Sequence, residues 1–163
     1  MILAGRVVTP TGVLRGWIET AGERIAQIGG GMVPAGAIGE RQWTIVAGFV
    51  DLHVHGGGGH SFTAGDAAAI DGGVGFHLAH GTTTTLLSFV TAPPDELFGA
   101  SRRISEYVAG ADPAARRRIA GIHSEGPFLA AARCGAQNPE FMTDPDPAEI
   151  DELMAAAGGH LRM

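Results

Sequence analysis

Residues 44–56, TIVAGFVDLHVHG, form a nearly continuous apolar run that ends in two histidines at i and i+2. Such a run predicts a parallel strand covered on both faces. Upstream the pattern is shorter and broken. ILAGRVVTP, VLRGWIET and ERIAQIG are β-like stretches parted by Thr9-Pro10-Thr11-Gly12 and Ala21-Gly22-Glu23, which predicts hairpin-linked antiparallel strands. The connection GGGMVPAGAIG, residues 29–39, has few groups to bury and places a domain boundary near its end.

Downstream, strand-like and helix-like stretches alternate. Residues 66–80 predict a helix despite Gly72, Gly73 and Gly75, and TTTTLLSFVT predicts a second buried strand from its β-branched content. Pro93-Pro94-Asp95 opens a helix that runs to about Ala109, with proline and acid where a helix start favours them. IAGIHSEGPFL is the third strand. DPAEIDELMAAAG is the third helix, with a capping-box spacing between Asp146 and Glu149 and a stop at Gly158-Gly159. His160 to Met163 reads as the start of a fourth strand. Three strand–helix units in series make an α/β chain with a parallel sheet. A complete eight-unit barrel takes roughly 250 residues, so the chain is either a small open sheet or the first part of a (β/α)8 TIM-type barrel, and the stop at a strand start favours the barrel. The expected domains are residues 1–47, a β-rich segment with its linker, and residues 48–163, the first three β/α units.

Composition narrows the function classes. The chain has 163 residues, 45% hydrophobic and 17% charged, with a net charge of -6. No apolar stretch is long enough for a membrane span, and MILAGRVVTPTG lacks a basic region leading into an apolar one, so a cytoplasmic setting is expected. The net charge and the absence of a basic run argue against nucleic acid; Arg116 to Arg118, the densest basic cluster, reads as a solvated helix end. Cys134 is the one cysteine, so no internal disulfide forms. Lysine is absent altogether, which excludes a Walker-type phosphate loop, a Schiff-base lysine and a carbamylated-lysine metal bridge within these residues.

Chemistry concentrates in two short stretches. Side chains at i and i+2 of a strand project to one side, so His53 and His55 lie roughly 6 to 7 Å apart at the backbone and can converge on one ion. They stand at the C-terminal end of a predicted parallel strand, where such sheets hold their active sites, and the four glycines that follow permit a sharp turn and leave space above the ion. His123 and Glu125 repeat the spacing on the third strand, with Glu125 placed at the rim by Gly126-Pro127. Two imidazoles and a carboxylate suit Zn²⁺ or another first-row divalent ion. For His123 three readings stay open: support of a ligand, contact with substrate, or passive packing. His77 and His80 read as structural or surface residues on a helix outside the rim, His60 as a loop residue, and Cys134 as a plain loop thiol.

Together, VAGFVDLHVHGGGG, HGTTTTLLSFVT, HSEGPFL and GAQNPEF resemble the N-terminal portion of N-acetylglucosamine-6-phosphate deacetylase, a family of the amidohydrolase superfamily. The resemblance covers essentially the whole chain. The HxH pair marks only the superfamily; HSEGPF followed by GAQNPEF is far more specific. It implies a small β-sandwich ahead of an incomplete metal-dependent hydrolase barrel, with Glu125 as the principal metal ligand of this half and His53 and His55 as the pair that holds a metal in members retaining HxH. It implies Zn²⁺, with Fe²⁺, Co²⁺ or Mn²⁺ as alternatives, and places Ala136 and Gln137 in the loop that touches the amino sugar. At the position of Gln137 the family usually has histidine; glutamine keeps hydrogen bonding but does not titrate near neutral pH.

The implied activity is hydrolysis of N-acetylglucosamine 6-phosphate to glucosamine 6-phosphate and acetate, by a homodimer of the full-length protein. The family's further histidine ligands, its general-base aspartate and its phosphate-contacting arginine lie beyond Met163, so no catalytic base is assigned here and little activity is expected of the chain alone. Two other readings stand beside it: a cyclic-amide hydrolase of the dihydroorotase or allantoinase type, and a noncatalytic, vestigial metal-binding fragment.

Overall fold

The computed structural model describes all 163 residues. They form two compact units, Met1–Ala47 and Gly48–Met163.

In the first unit β1 (Ile2–Thr9), β2 (Gly12–Ala21) and β3 (Arg24–Gly30) run as an antiparallel meander, as the turn signals predict. The short β4 (Thr44–Ile45) then joins β1 in parallel, giving the order β3-β2-β1-β4. The glycine-rich connection is not a free linker. Ile38 N–H donates to Ile2 O at 2.9 Å, and Ala4 N–H donates to Ile38 O at 2.8 Å, so this segment is tied along β1. The division between units falls after Ala47, past the glycine-rich connection and inside the apolar run that the sequence presents as one strand. Thr44 and Ile45 belong to the first sheet because they pair with Arg6 and Val7.

The second unit is built on three parallel strands, β5 (Phe49–Val54), β8 (Thr82–Phe89) and β9 (Ile119–Ser124), with β8 in the centre. Between β5 and β8 lie a two-stranded ribbon, β6 (Gly56–Gly57) with β7 (His60–Ser61), and helix α1 (Ala67–Ala79). Helices α2 (Pro94–Gly110) and α3 (Pro113–Arg118) connect β8 to β9, and α4 (Pro147–Ala156) follows. Past α4, Ile122 N–H donates to His160 O and Arg162 N–H to Ile122 O, at 2.8 and 2.9 Å, so the last residues begin a further parallel pairing beside β9. The sheet is open and no barrel closes.

Local chemistry explains the helices. Asp66 caps α1 by accepting from Ala69 N–H at 2.8 Å. Pro94, Asp95 and Glu96 open α2, and its Leu97, Ala100, Ser101, Ile104 and Val108 recur at three- and four-residue spacing on the buried face. These meet Leu87 and Phe89 of β8, Ile122 of β9, Ile70 of α1 and Leu153 of α4 in one core. The arginine triplet is not merely a solvated end: Arg116 turns back onto the C-terminus of α2 and donates to Val108 O and Ala109 O at 3.1 and 3.0 Å, a cation on free carbonyls.

Two further expectations are corrected. The strand β5 is not covered on both faces among these residues: Val50 is 62% and Phe49 58% exposed. The capping box at α4 does not close either. Asp146 accepts from Ala148 N–H at 2.9 Å, but burial and the nearby Asp146 and Glu152 carboxylates hold the Glu149 carboxyl above its ordinary range, and its Oε1 is buried without a partner.

Candidate metal centre

The parallel arrangement brings the C-terminal ends of β5, β8 and β9 to one side. His53 lies in β5 and His55 directly after it; Glu125 directly follows β9. Between Asp51 and Val54 the register with β8 slips, three steps on β5 matching two on β8 (Asp51 opposite Thr85, Val54 opposite Leu87). A bulge of this kind re-aims side chains. His53 sits inside it, and its ring comes to 5.0 Å from that of His55.

His53 Nε2 and His55 Nε2 are 3.0 Å apart, and Glu125 Oε2 is 3.1 Å from the first and 2.8 Å from the second. Each neutral imidazole can carry its proton on Nδ1 and turn the Nε2 lone pair toward a shared cation, and the three donor atoms lie within reach of one ion. Bonds of about 2.0 to 2.2 Å at tetrahedral angles set donor atoms roughly 3.3 Å apart, close to the edges of this triangle. Two imidazoles and one carboxylate also form the donor set that first-row divalent ions take. The residues fit a divalent metal ion. His55 Nδ1 is buried and has no partner, so the imidazole lacks the acceptor that usually fixes a ligand's tautomer.

The glycines have a different use from the one their softness suggests. Gly58 and Gly59, with φ of 61° and 88°, form the two-residue turn between β6 and β7, which residues with side chains adopt poorly. Gly57 lies where a Cβ would strike Phe76 and His77 of α1. They bring the ribbon down onto the helix. His77, placed by the sequence outside the site, holds this ribbon through Nε2 to Gly56 O at 2.8 Å.

His123 is 7% exposed, stacks edge-on against His53 with centroids 4.8 Å apart, and has Nδ1 3.0 Å from Ser88 Oγ. Burial, followed by the neighbouring His53, pushes its pKa below the ordinary histidine value. His123 thus lies buried between His53 and Ser88. Gln137 reaches the triangle itself: Nε2 donates to Glu125 Oε2 at 2.7 Å while Oε1 accepts from Thr91 N–H at 2.7 Å. Ala136 is exposed beside it. Sequence reasoning missed Ser88 and Thr91, both buried; the available signal was polar residues embedded in the apolar stretch LLSFVT.

No protein-family model matches the chain. It is 32% identical over 116 residues to an N-acetylgalactosamine-6-phosphate deacetylase of Escherichia coli O157:H7, covering 71% of this chain and 30% of that protein. With an N-acetylglucosamine-6-phosphate deacetylase of Lysinibacillus sphaericus it shares 29% over 122 residues, 72% of this chain and 30% of the relative. Among solved structures, a mutant N-acetyl-D-glucosamine-6-phosphate deacetylase from Mycobacterium smegmatis in complex with N-acetyl-D-glucosamine-6-phosphate superposes with a TM-score of 0.87 at 42% identity, over 100% of this chain and 42% of that one. The chain belongs to the N-acetylglucosamine-6-phosphate deacetylase family and spans less than half the length of these members.

Proposed function

We propose that the chain carries one side of the active site of a metal-dependent deacetylase that converts N-acetylglucosamine 6-phosphate to glucosamine 6-phosphate and acetate. The observation that carries this reading is the convergence of His53, His55 and Glu125, from two strands flanking β8, into a triangle of 2.8 to 3.1 Å edges. In this reading those three residues hold the metal, Zn²⁺ in first place, and His123 packs behind His53. Bound there, the ion supplies Lewis acidity toward water and the acetamide carbonyl. Glu125 and the imidazoles fix its position, and the loop with Ala136 and Gln137 lies where the amino sugar is to be received. The general base comes from an aspartate outside these 163 residues.

The same reading assigns residues 1–47 to a small β-sandwich and residues 48–163 to the first three β/α units of an amidohydrolase barrel. It places the protein in the cytoplasm, as a homodimer at full length, with no nucleic-acid partner. The cyclic-amide alternative is not favoured: Glu125 stands where that class bridges its metals with lysine, and the curated relatives are amino-sugar phosphate deacetylases. The test is hydrolysis by the polypeptide that the gene encodes, followed as acetate release from N-acetylglucosamine 6-phosphate and its galactosamine epimer and as ring opening of a cyclic ureide, with and without chelator. Chelator-sensitive release from the amino-sugar phosphate is expected, with little from the 163 residues alone. Hydrolysis of the ureide instead overturns the assignment.

A further inference from the structure

Gln137 stands at a position that its family resemblance gives to the sugar, yet its amide is spent elsewhere. The Thr91 backbone N–H can only donate, so the atom 2.7 Å from it is the amide oxygen, and the amide nitrogen 2.7 Å from Glu125 Oε2 is then the donor. The orientation of the amide is fixed by the main chain rather than assigned by choice. Gln137 itself is anchored, its N–H donating to Cys134 O at 3.1 Å, and Asn138 beside it caps the next turn by accepting from Glu140 N–H at 3.0 Å. Thr91, 4% exposed, follows β8, and Glu125 follows β9. The glutamine therefore spans the C-terminal ends of two neighbouring strands.

The oxygen it grips is the one that faces both histidines. A carboxylate oxygen has two in-plane lone pairs; Gln137 occupies one and leaves the other toward His53 and His55. Rotation of the Glu125 carboxylate about its last bond breaks this hydrogen bond. We infer that Gln137 is a positioning residue, which locks Glu125 Oε2 toward the metal through Thr91, and not chiefly a contact to the sugar. Supporting partners of ligands typically change metal affinity by about 10 to 100-fold when removed. The inference rests on the metal-centre reading above.

The experiment is a Zn²⁺ titration of the full 163-residue chain against a competing chelator, repeated with Co²⁺ for its ligand-field spectrum, with the melting temperature of the metal-free protein read alongside. Gln137→Met keeps the length of the side chain and loses both hydrogen bonds. It is expected to bind Zn²⁺ about 10 to 100-fold more weakly, with an altered Co²⁺ spectrum. Gln137→Asn, one methylene too short to span Thr91 and Glu125, gives the same loss and serves where Gln137→Met does not fold. Unchanged Zn²⁺ affinity in the folded variants overturns the inference while leaving the metal centre standing. Failure of the unsubstituted chain to bind Zn²⁺ better than Glu125→Gln overturns the metal centre and the inference with it.

Discussion

Ser88 Oγ, fully buried near the C-terminal end of β8, lies 3.0 Å from His123 Nδ1, and the same oxygen accepts from Val54 N–H at 3.0 Å. One hydroxyl thus joins all three parallel strands directly beneath the histidines. It satisfies the backbone group that the bulge in β5 removes from the regular ladder.

Ser88→Ala deletes both bonds and leaves Val54 N–H and His123 Nδ1 without partners. An unsatisfied buried polar group costs about 1 to 3 kcal/mol. Denaturant unfolding of the metal-free chain should show a loss of that order. A loss within about 0.5 kcal/mol, the level of an ordinary surface substitution, would mean that water replaces the hydroxyl.

Core and edge should respond in opposite ways to the same truncation. Ile122 is fully buried among Leu87, Phe89 and α2, whereas Val50 is 62% exposed on the sheet edge. Ile122→Ala is expected to cost about 2 to 5 kcal/mol, and Val50→Ala in the 163-residue chain less than about 0.5 kcal/mol. The comparison is read from unfolding midpoints. A large effect at Val50 would show that β5 is covered in solution.

Much of this was legible in the sequence, for reasons that differ by residue. Turn chemistry at Thr9 to Gly12, the cap at Asp66 and Pro94 at the start of α2 act over a few residues, so the local pattern determines them. His53, His55 and Glu125 were legible as candidates from their i, i+2 spacing and from the strand end forced by Gly126-Pro127, although the bulge that aims His53 was not. The ties of Gln137 and Ser88 were not, since they depend on which strands become neighbours and on a bulge that no period reveals. That Thr44 and Ile45, at the head of the apolar run, pair with β1 instead of extending β5 was hidden likewise. The openness of β5 depends on what covers it, which apolar content alone does not state.

Tyr107 provides a pH signature remote from the histidines. Burial, together with its hydrogen bond to Asp71 and that carboxylate's charge, pushes the phenol from its usual value near 10 up to about 12. A raised pKa means the folded state holds the proton longer than the unfolded chain. The contribution to stability is fully present below pH 10 and is lost as pH rises from there through about 12. Tyr107 is the only tyrosine, so the phenolate absorbance reports it alone. Its midpoint should lie near 12 in the folded chain and fall toward the usual value in Asp71→Ala. A midpoint near 10 in the unsubstituted protein would show that the Asp71 contact does not persist.

A divalent ion that binds only the folded triangle should stabilise the chain by mass action. At a free concentration one hundred times its dissociation constant the gain is about 2.7 kcal/mol, visible as a raised melting temperature that chelator reverses. Zn²⁺ and Co²⁺ should act at lower concentration than Mg²⁺, because imidazole nitrogens suit the first two and the third prefers an all-oxygen shell. Removing one nitrogen in His55→Ala should abolish most of the shift. That substitution also deletes a buried Nδ1 without a partner, so the metal-free variant should lose little stability or gain some. The pairing of a neutral effect without metal and a lost response with it separates a ligand from a packing residue. Equal shifts in His55→Ala and the unsubstituted chain would place the ion somewhere other than among His53, His55 and Glu125.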